Sequence, residues 1–324
     1  MKPLDCFKLQ NGRERIIALG ELLVDFVPEN DEVYLDSPGK IIKTASGSSG
    51  IMACAVARLR QKAGFIGKIG VDPLSRFVYQ TIRAQGVDLS RVVQSKEGQI
   101  GLAFIEYTPQ GRNYQFYRKN SVGSGYSAAD IDYEYIRECF AVHYSGMLLE
   151  LSPDMRSACQ EMVRSAREQG VIVSFDPNIR KEMIRDEEAG KRLRNAIATA
   201  DVISPTLEEA EYLTGETQLS CILRKLHAMG PKLIAVTRDA RGAVISCQGE
   251  VFEVDGIPVE AVDPTGAGDT FAAAMLVGLY RGYELREILQ YANCAGALAT
   301  SKRGVIGVAL PTDQMVLQLM RDTY

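Results

Sequence analysis

Short apolar, β-branched runs alternate along this chain with longer stretches in which apolar residues recur at helical spacing, a pattern that predicts a parallel sheet covered by helices. Ile16–Gly20 opens the series as a strand. Ile51–Leu59, with Met52, Ala53, Val56 and Ala57, is predicted as a helix, Gly64–Gly67 as a strand and Leu74–Ala84 as a helix ended by Gly86. Further on come a helix over Asp154–Glu168, a strand over Val171–Phe175, a helix over Glu187–Ala198 and strands at Val202-Ile203 and Leu233–Val236. From Thr270 the chain reads as successive helices through Tyr280, Ala299 and Met320. One region breaks the alternation. Gly101–Tyr107 and Tyr114–Arg118 flank the polar stretch Thr108–Asn113, which predicts a hairpin. With Glu32–Leu35 and Ile41–Lys43 it predicts a small antiparallel sheet, from about 26–44 and 99–119, that either covers a site as a lid or extends the main sheet.

Composition narrows the classes. A chain of 324 residues, 46% hydrophobic and without low-complexity linkers or repeats, is expected to form one large α/β domain over 1–324. Net charge is −4 with both signs interspersed, which argues against nucleic-acid binding. The seven cysteines are scattered, with no C-x-x-C and only two histidines, so neither a zinc site nor a disulfide framework is indicated, and His143 and His227 receive no role. No signal peptide or membrane span is read, and a cytoplasmic location is expected.

The segment richest in chemistry is Asp263-Pro264-Thr265-Gly266-Ala267-Gly268-Asp269, followed directly by Thr270-Phe271-Ala272-Ala273-Ala274-Met275. A nearly side-chain-free turn running into an apolar helix presents first-turn N–H groups and the positive end of the helix dipole to whatever occupies the turn, so an anion is expected there. A carboxylate beside a bound phosphate is repulsive. Asp269 therefore either takes a proton from an attacking hydroxyl or caps the helix.

Together with Gly20-Glu21-Leu22-Leu23-Val24-Asp25 and the Ser/Gly stretch near residue 47, this segment resembles the ribokinase-like, or PfkB, carbohydrate kinases, and the resemblance covers nearly the full chain. The family signature D-T/P-x-G-A-G-D-x-F is matched at Asp263–Phe271. The resemblance implies a three-layer α/β fold with a mostly parallel sheet between helices and a small antiparallel β lid. It implies Asp269 as catalytic base, with Gly266, Ala267 and Gly268 giving backbone N–H groups to the transferred phosphoryl group and Asp263 ordering the turn. ATP and Mg2+ are implied as cofactors, and in many members a monovalent cation such as K+. A carboxylate is a weak base for an alcohol, yet in a loose phosphoryl-transfer transition state it needs only to orient the hydroxyl and accept its proton late.

At the sugar end, the family's G-G-x-x-x-N stretch reads Ser46-Gly47-Ser48-Ser49-Gly50-Ile51, so Asn has become Ile51, while Gly47 is retained and the serine hydroxyls, Ser48 among them, either replace the lost bond or, at Ser46 and Ser48, cap the helix. Asp25 matches the position that holds a sugar hydroxyl. Phe116–Ser121 and Phe175–Arg180 look like the stretches with which 2-keto-3-deoxygluconate kinases bind their substrate, and a guanidinium suits a carboxylate. Arg180 is thus expected at the substrate carboxylate and Arg118 at a second polar contact, unless both make structural ion pairs. Fructokinases carry versions of the same motifs, and Asp25 fits them better. The N-x-x-E element reads Thr206-Leu207-Glu208-Glu209, which leaves Glu209 to order magnesium through water with the Thr206 hydroxyl beside it. The T-x-G-x-x-G turn reads Thr237–Gly242 with Asp239 at its first glycine, and the resemblance places Asn293, Ala297 and Gly304 at the adenine pocket. The expectation is an ATP-dependent sugar kinase acting on a terminal hydroxyl of 2-keto-3-deoxygluconate, with fructokinase as the alternative and a catalytically weak sugar or nucleotide sensor as a rival from another class. Lid residues Leu102, Phe104, Tyr114 and Phe116 predict a homodimer formed through the lid.

Overall fold

The computed structural model describes residues 2–7, 12–29, 33–108, 111–180 and 187–324, with backbone alone at 111 and 112. In chain order the elements are β1 (Arg15–Leu19), β2 (Leu23–Pro28), β3 (Ile41–Ser46), α1 (Ser48–Arg58), β4 (Ala63–Gly70), α2 (Pro73–Ala84), β5 (Val92–Ser95), β6 (Gly101–Thr108) and β7 (Gly111–Tyr117). Then follow α3 (Tyr133–Arg137), β8 (Cys139–Ser145), α4 (Pro153–Glu168), β9 (Ile172–Asp176), α5 (Glu187–Thr199), β10 (Val202–Ile203), α6 (Leu207–Thr214), α7 (Leu219–Met229) and β11 (Leu233–Thr237). The chain ends with β12 (Ala243–Cys247), β13 (Glu250–Val254), α8 (Ala267–Tyr280), α9 (Leu285–Ala299) and α10 (Asp313–Thr323).

Nine strands form the main sheet in the order β13-β12-β11-β10-β9-β8-β1-β4-β5, parallel from β11 to β5 and antiparallel in the β12–β13 edge. Its strands read as unbroken apolar runs because both faces are covered. In β1, Ile16 and Ala18 join one core cluster with α1, α8 and α9, while Ile17 and Leu19 join the other with α4, α5 and α7. The three-layer architecture is therefore built by period-2 alternation feeding two separate cores.

The second sheet has four strands, β3-β2-β6-β7. Both outer pairs are antiparallel and the central β2–β6 pair is parallel. The chain enters it straight from β1 through Gly20–Leu22 and leaves it through β3 into α1, so it projects from the carboxyl ends of the main strands, where open α/β sheets place their ligands. It does not extend the main sheet. Its second strand is Leu23–Pro28, whereas Val33–Leu35, expected to be extended, form coil and turn, and Glu32 lies outside the described residues. The turn residues Pro109 and Gln110 also lie outside them.

Register separates the two faces of this sheet. Asp25 pairs with Thr44 and Ala103, Phe116 with Ala103, and Tyr114 with Ile105, which puts these side chains on one face. Phe26, Leu102, Phe104 and Tyr117 occupy the other, where Phe26 and Phe104 stack at 4.8 Å and Tyr117 meets Phe104 edge-on at 5.6 Å. Leu102 and Phe104 thus do not share a face with Tyr114 and Phe116. The even spacing that suggested one apolar surface holds two residues from each side of the pleat.

Candidate active site

The Gly-rich turn is held from below. Asp263 is buried, and one of its oxygens accepts from Thr265 N (3.0 Å) and Thr265 Oγ1 (2.6 Å) while the other accepts from Gly304 N (3.3 Å). This side chain closes the turn as an Asx-type cap and ties it to the segment after α9. Gly266 then adopts φ +80, a left-handed conformation, and a Cβ there would meet Val305 at 2.8 Å and Ile51 at 3.0 Å. Ile51, 3% exposed, is a wall behind the turn and not a sugar contact. A Cβ on Gly268 would meet nothing within 4 Å, so the mouth of the turn is open. Ala267 N bonds back to Pro264 O and Thr270 N to Gly266 O, while the intervening N–H groups of Gly268 and Asp269 have no acceptor within the helix. From Asp269 to Leu279 every residue of α8 is buried, which fixes this N-terminus against the core.

Asp269 lies in the first turn of α8 and its carboxylate reaches outward, not back to a backbone N–H. Its Oδ1 accepts a 2.5 Å hydrogen bond from Ser48 Oγ in the first turn of α1. Burial raises its pKa to about 6, against the pull of Ser48 and the Arg180 guanidinium. The cap position is taken by Gly266, which removes the alternative in which Asp269 is a mere N-cap. Asp25, on the site-facing side of β2, is 4% exposed; burial pushes its pKa up to about 7, opposed by a bond from Ser46 and reinforced by the charge of Asp263.

Beside them stand Asp176, to which the sequence pattern gave no part, and three residues that it did single out, Glu209, Arg180 and Arg118. Asp176 ends β9 and accepts from Asn178 N at 3.0 Å; burial, then Glu209 and Asp269, holds its pKa well above the usual carboxylate range. Glu209 makes a capping box with Thr206, Thr206 N donating to Oε2 (2.8 Å) and Glu209 N to Thr206 Oγ1 (3.2 Å), and its Oε1 accepts from Ile179 N at 2.6 Å. Its pKa too is raised by burial. Glu209 therefore clips the segment after β9 to the start of α6. Arg180 follows that segment, its charge acting on Asp176, Glu209 and Asp269 while its guanidinium lies 5.4 Å from the Tyr114 ring of the small sheet. Arg118 is already engaged, because its Nη2 lies 2.7 Å from the Oε2 of Glu21, which is 2% exposed and also accepts from Ser121 Oγ. Its buried Nε has no hydrogen-bond partner among the described residues.

The remaining candidates gather along the carboxyl edge further out. Thr237 bridges to Thr206 as a parallel pair, so the ends of β10 and β11 adjoin. Asp239 takes φ +52, a conformation Asp tolerates better than most residues, which is how the loop keeps its course without the glycine. Gly242 has φ +89, and a Cβ there would strike Val254 O at 2.0 Å and Asp255 C at 2.5 Å. Asn293 Nδ2 donates to Asp255 O at 2.9 Å, so Gly242 and Asn293 meet at the same segment. Ala297 is half-buried on α9, next to Gly296, which faces Ala267 O across the start of α8. Arg238 is held by Glu253 at 2.6 Å.

Residues 13–313 match the model of the pfkB family carbohydrate kinases. The chain belongs to that family. It is a carbohydrate kinase, and the similarity runs its full length. Fructokinase-1 of Zea mays is 33% identical over 319 residues, covering 95% of this chain and 98% of its own. A solved structure described as a putative Ribokinase II of E. coli in complex with ATP and Mg2+ superposes with a TM-score of 0.90 at 29% identity, over 95% of this chain and 99% of that one. Fructokinase of Vibrio cholerae O395, solved with fructose, ADP and calcium, gives 0.83 at 26% identity, over 96% and 100%.

For this PfkB kinase, the geometry brings Asp269, Ser48, Asp176, Glu209 and Arg180 to one place and sets Asp25 on the sheet above. It commits Arg118 to Glu21 in an ion pair. Glu21, Ser121 and Asn178 were missed because each acts through a partner distant in sequence, at separations of 100 residues for Glu21–Ser121 and 130 for Asn178–Ser48. The one available signal was Glu21 itself, a charge inside the otherwise apolar run that joins β1 to β2.

Proposed function

We propose that this kinase phosphorylates the primary hydroxyl of a neutral ketose of the fructose type, with ATP and Mg2+. The observation that carries the reading is the Glu21–Arg118 pair, 2.7 Å apart and nearly excluded from water. An arginine whose charge is already balanced by a buried carboxylate has little left for a substrate carboxylate, but its unpartnered Nε still suits a hydroxyl. Asp25 argues the same way, since a carboxylate accepts from sugar hydroxyls and repels a sugar acid. The fructokinase names of the relatives support this reading over 2-keto-3-deoxygluconate, and the charge of Arg180 is already shared among three carboxylates.

The residues fit nucleotide and metal. An open turn at Gly268, a left-handed Gly266 and two first-turn N–H groups form a cradle for phosphoryl oxygens, and the adenine end falls to Thr237, Gly242, Asn293 and Ala297. Glu209 is the residue that would hold Mg2+ through its water, on the lone pairs not taken by Ile179 N and Thr206 N. Bound there, the metal supplies charge neutralisation of the phosphates. Asp269 accepts the hydroxyl proton as the new O–P bond forms and the bond from the phosphorus to ADP breaks, while the free N–H groups of Gly268 and Asp269 receive the phosphoryl oxygens; Gly266 shapes the turn, and Ala267 N is spent on Pro264 O instead of the phosphoryl group. Asp25 and Arg118 orient the sugar, and Arg180 joins the small sheet to the reacting end through Tyr114.

The outer face of the lid is the part of the reading that concerns assembly. Leu35, Ile100, Leu102, Phe104 and Tyr117 line a groove of about 780 Å³, and Tyr117 is 62% exposed, a surface suited to a second copy of the chain. Light scattering giving a monomer at working concentration would remove it.

The deciding experiment is turnover with ATP and Mg2+ on a panel of ketoses and keto-sugar acids. Fructose is expected to give the larger kcat/KM. A larger value for 2-keto-3-deoxygluconate would overturn the neutral-sugar reading, and no ADP release with any member would favour a sensor.

A further inference from the structure

Ser48 entered as a candidate sugar contact, yet its hydrogen bonds point elsewhere. A serine hydroxyl has one proton and two acceptor lone pairs. The proton goes to Asp269 Oδ1 at 2.5 Å, and one lone pair receives the side-chain amide of Asn178 at 3.4 Å. No proton is left for a sugar oxygen. The chain Asn178–Ser48–Asp269 joins the segment after β9, the first turn of α1 and the first turn of α8, and each end is fixed by its own backbone. Gly47 starts α1 at φ +108, where a Cβ would strike Glu21 O at 2.4 Å, so the direction in which Ser48 leaves is set by a position only glycine fits. Asn178 sits at φ +40 with its N–H on Asp176 Oδ1.

We propose that Ser48 is a positioning residue for the base: its hydroxyl, steadied by Asn178, grips Asp269 by Oδ1 and turns the other carboxylate oxygen toward the sugar hydroxyl. The inference rests on the reading of Asp269 as base. The torsion that rotates a carboxylate is broad and roughly two-fold, so an unanchored Asp269 would sample orientations that present no lone pair to the acceptor. A short O–H···O− bond removes that freedom and favours the ionised form. The other charged groups facing Asp269 are Arg180, which acts in the same direction, and Asp176, which opposes.

The test is the pH dependence of kcat and kcat/KM for the full chain with ATP, Mg2+ and the preferred sugar, in Ser48→Ala, Asn178→Ala and Asp269→Asn. Alanine is a good residue for a first helical turn, so Ser48→Ala is expected to fold, which thermal unfolding checks. Expected for Ser48→Ala are a kcat about tenfold lower near neutral pH, an acid limb moved up by about one unit and a sugar KM within about twofold. Asn178→Ala is expected to move the limb the same way by less. If Ser48→Ala raises KM and leaves kcat and the limb in place, Ser48 touches the sugar and the positioning role is overturned. An inactive Asp269→Asn beside an unmoved limb in Ser48→Ala would overturn the positioning role alone, whereas an active, folded Asp269→Asn would remove the base assignment beneath it.

Discussion

The phosphoryl end and the sugar end of this site are built by different means. At the phosphoryl end, seven consecutive residues, Asp263–Asp269, form a backbone turn on the start of a helix that is buried all round, so the groups that matter are N–H bonds held by a core. At the sugar end, Asp25, Arg118, Glu21, Arg180 and Tyr114 come from four separate segments, two of them on the four-stranded sheet, which Arg180 meets at Tyr114. A backbone device depends on turn geometry and tolerates almost no substitution. A side-chain device depends on what each group is paired with: here Glu21 balances Arg118, and Ile51 packs behind the turn as a wall.

The sharpest way to break this contrast is at its centre. Asp269→Asn is expected to lower kcat by about 10²- to 10⁴-fold with little change in sugar binding, and stopped assays with parallel calorimetry would measure both. Near-wild-type turnover would mean that the backbone cradle suffices. Glu21→Gln probes the other end: it leaves the Arg118 guanidinium without its counter-charge, so urea unfolding is expected to show a loss of about 3 kcal/mol, and the ratio of sugar-acid to neutral-sugar turnover is expected to rise. An unchanged ratio would show that the pair does not set selectivity.

Acidity touches both ends. Burial raises Asp25 to about 7 and Asp269 to about 6, above the usual aspartate value, so between pH 4 and 7 these two groups hold protons that they release in the unfolded chain, which outweighs the opposing pull of buried His143 above about pH 5.5. Without sugar, stability therefore falls as pH rises through that window, and the melting temperature is expected to be a few degrees higher at pH 5.5 than at pH 7.5. Asp25→Asn is expected to flatten that slope in differential scanning calorimetry; a slope as steep as wild type would relocate its origin. With Asp269 as the proposed base, activity is expected to run the opposite way, because a carboxylate accepts a proton only when ionised. The smallest effect belongs to the nucleotide side, where Asp239→Gly at φ +52 relieves a left-handed aspartate while loosening the unfolded chain; stability is expected to change by less than about 1 kcal/mol, and the ATP KM by less than about twofold.

Much of this was legible in the linear chain, for local reasons. The main strands read as apolar runs and their helices as periodic ones because each residue's burial follows from its own element, and the Asp263–Phe271 turn is contiguous, so its chemistry could be named before its shape was known. Val33–Leu35 misled because three alternating residues carry no information on which neighbour they pair with, and β2, holding Asp25, was the strand that paired. The lid residues misled in a related way: equal apolarity says nothing of which side of a pleat a residue takes, and register put Phe104 outside and Phe116 within. Glu21, Ser121 and Asn178 were silent as motifs, and Ser48 was read for the wrong partner, since a side chain's partner across the fold leaves no mark on its neighbours in sequence.

By itself the sequence determined the layer architecture, the family and the segment in which the proposed base lies, because these rest on periodicity and on one unbroken segment. Only the tertiary structure decided which arginine is spoken for, that Ser48 serves Asp269, and which face of the small sheet looks into the site. Those are pairings between residues 100 or more apart in the chain for Glu21–Ser121 and Ser48–Asp269, and they are fixed by where strands and helix ends are brought together, not by anything written beside them.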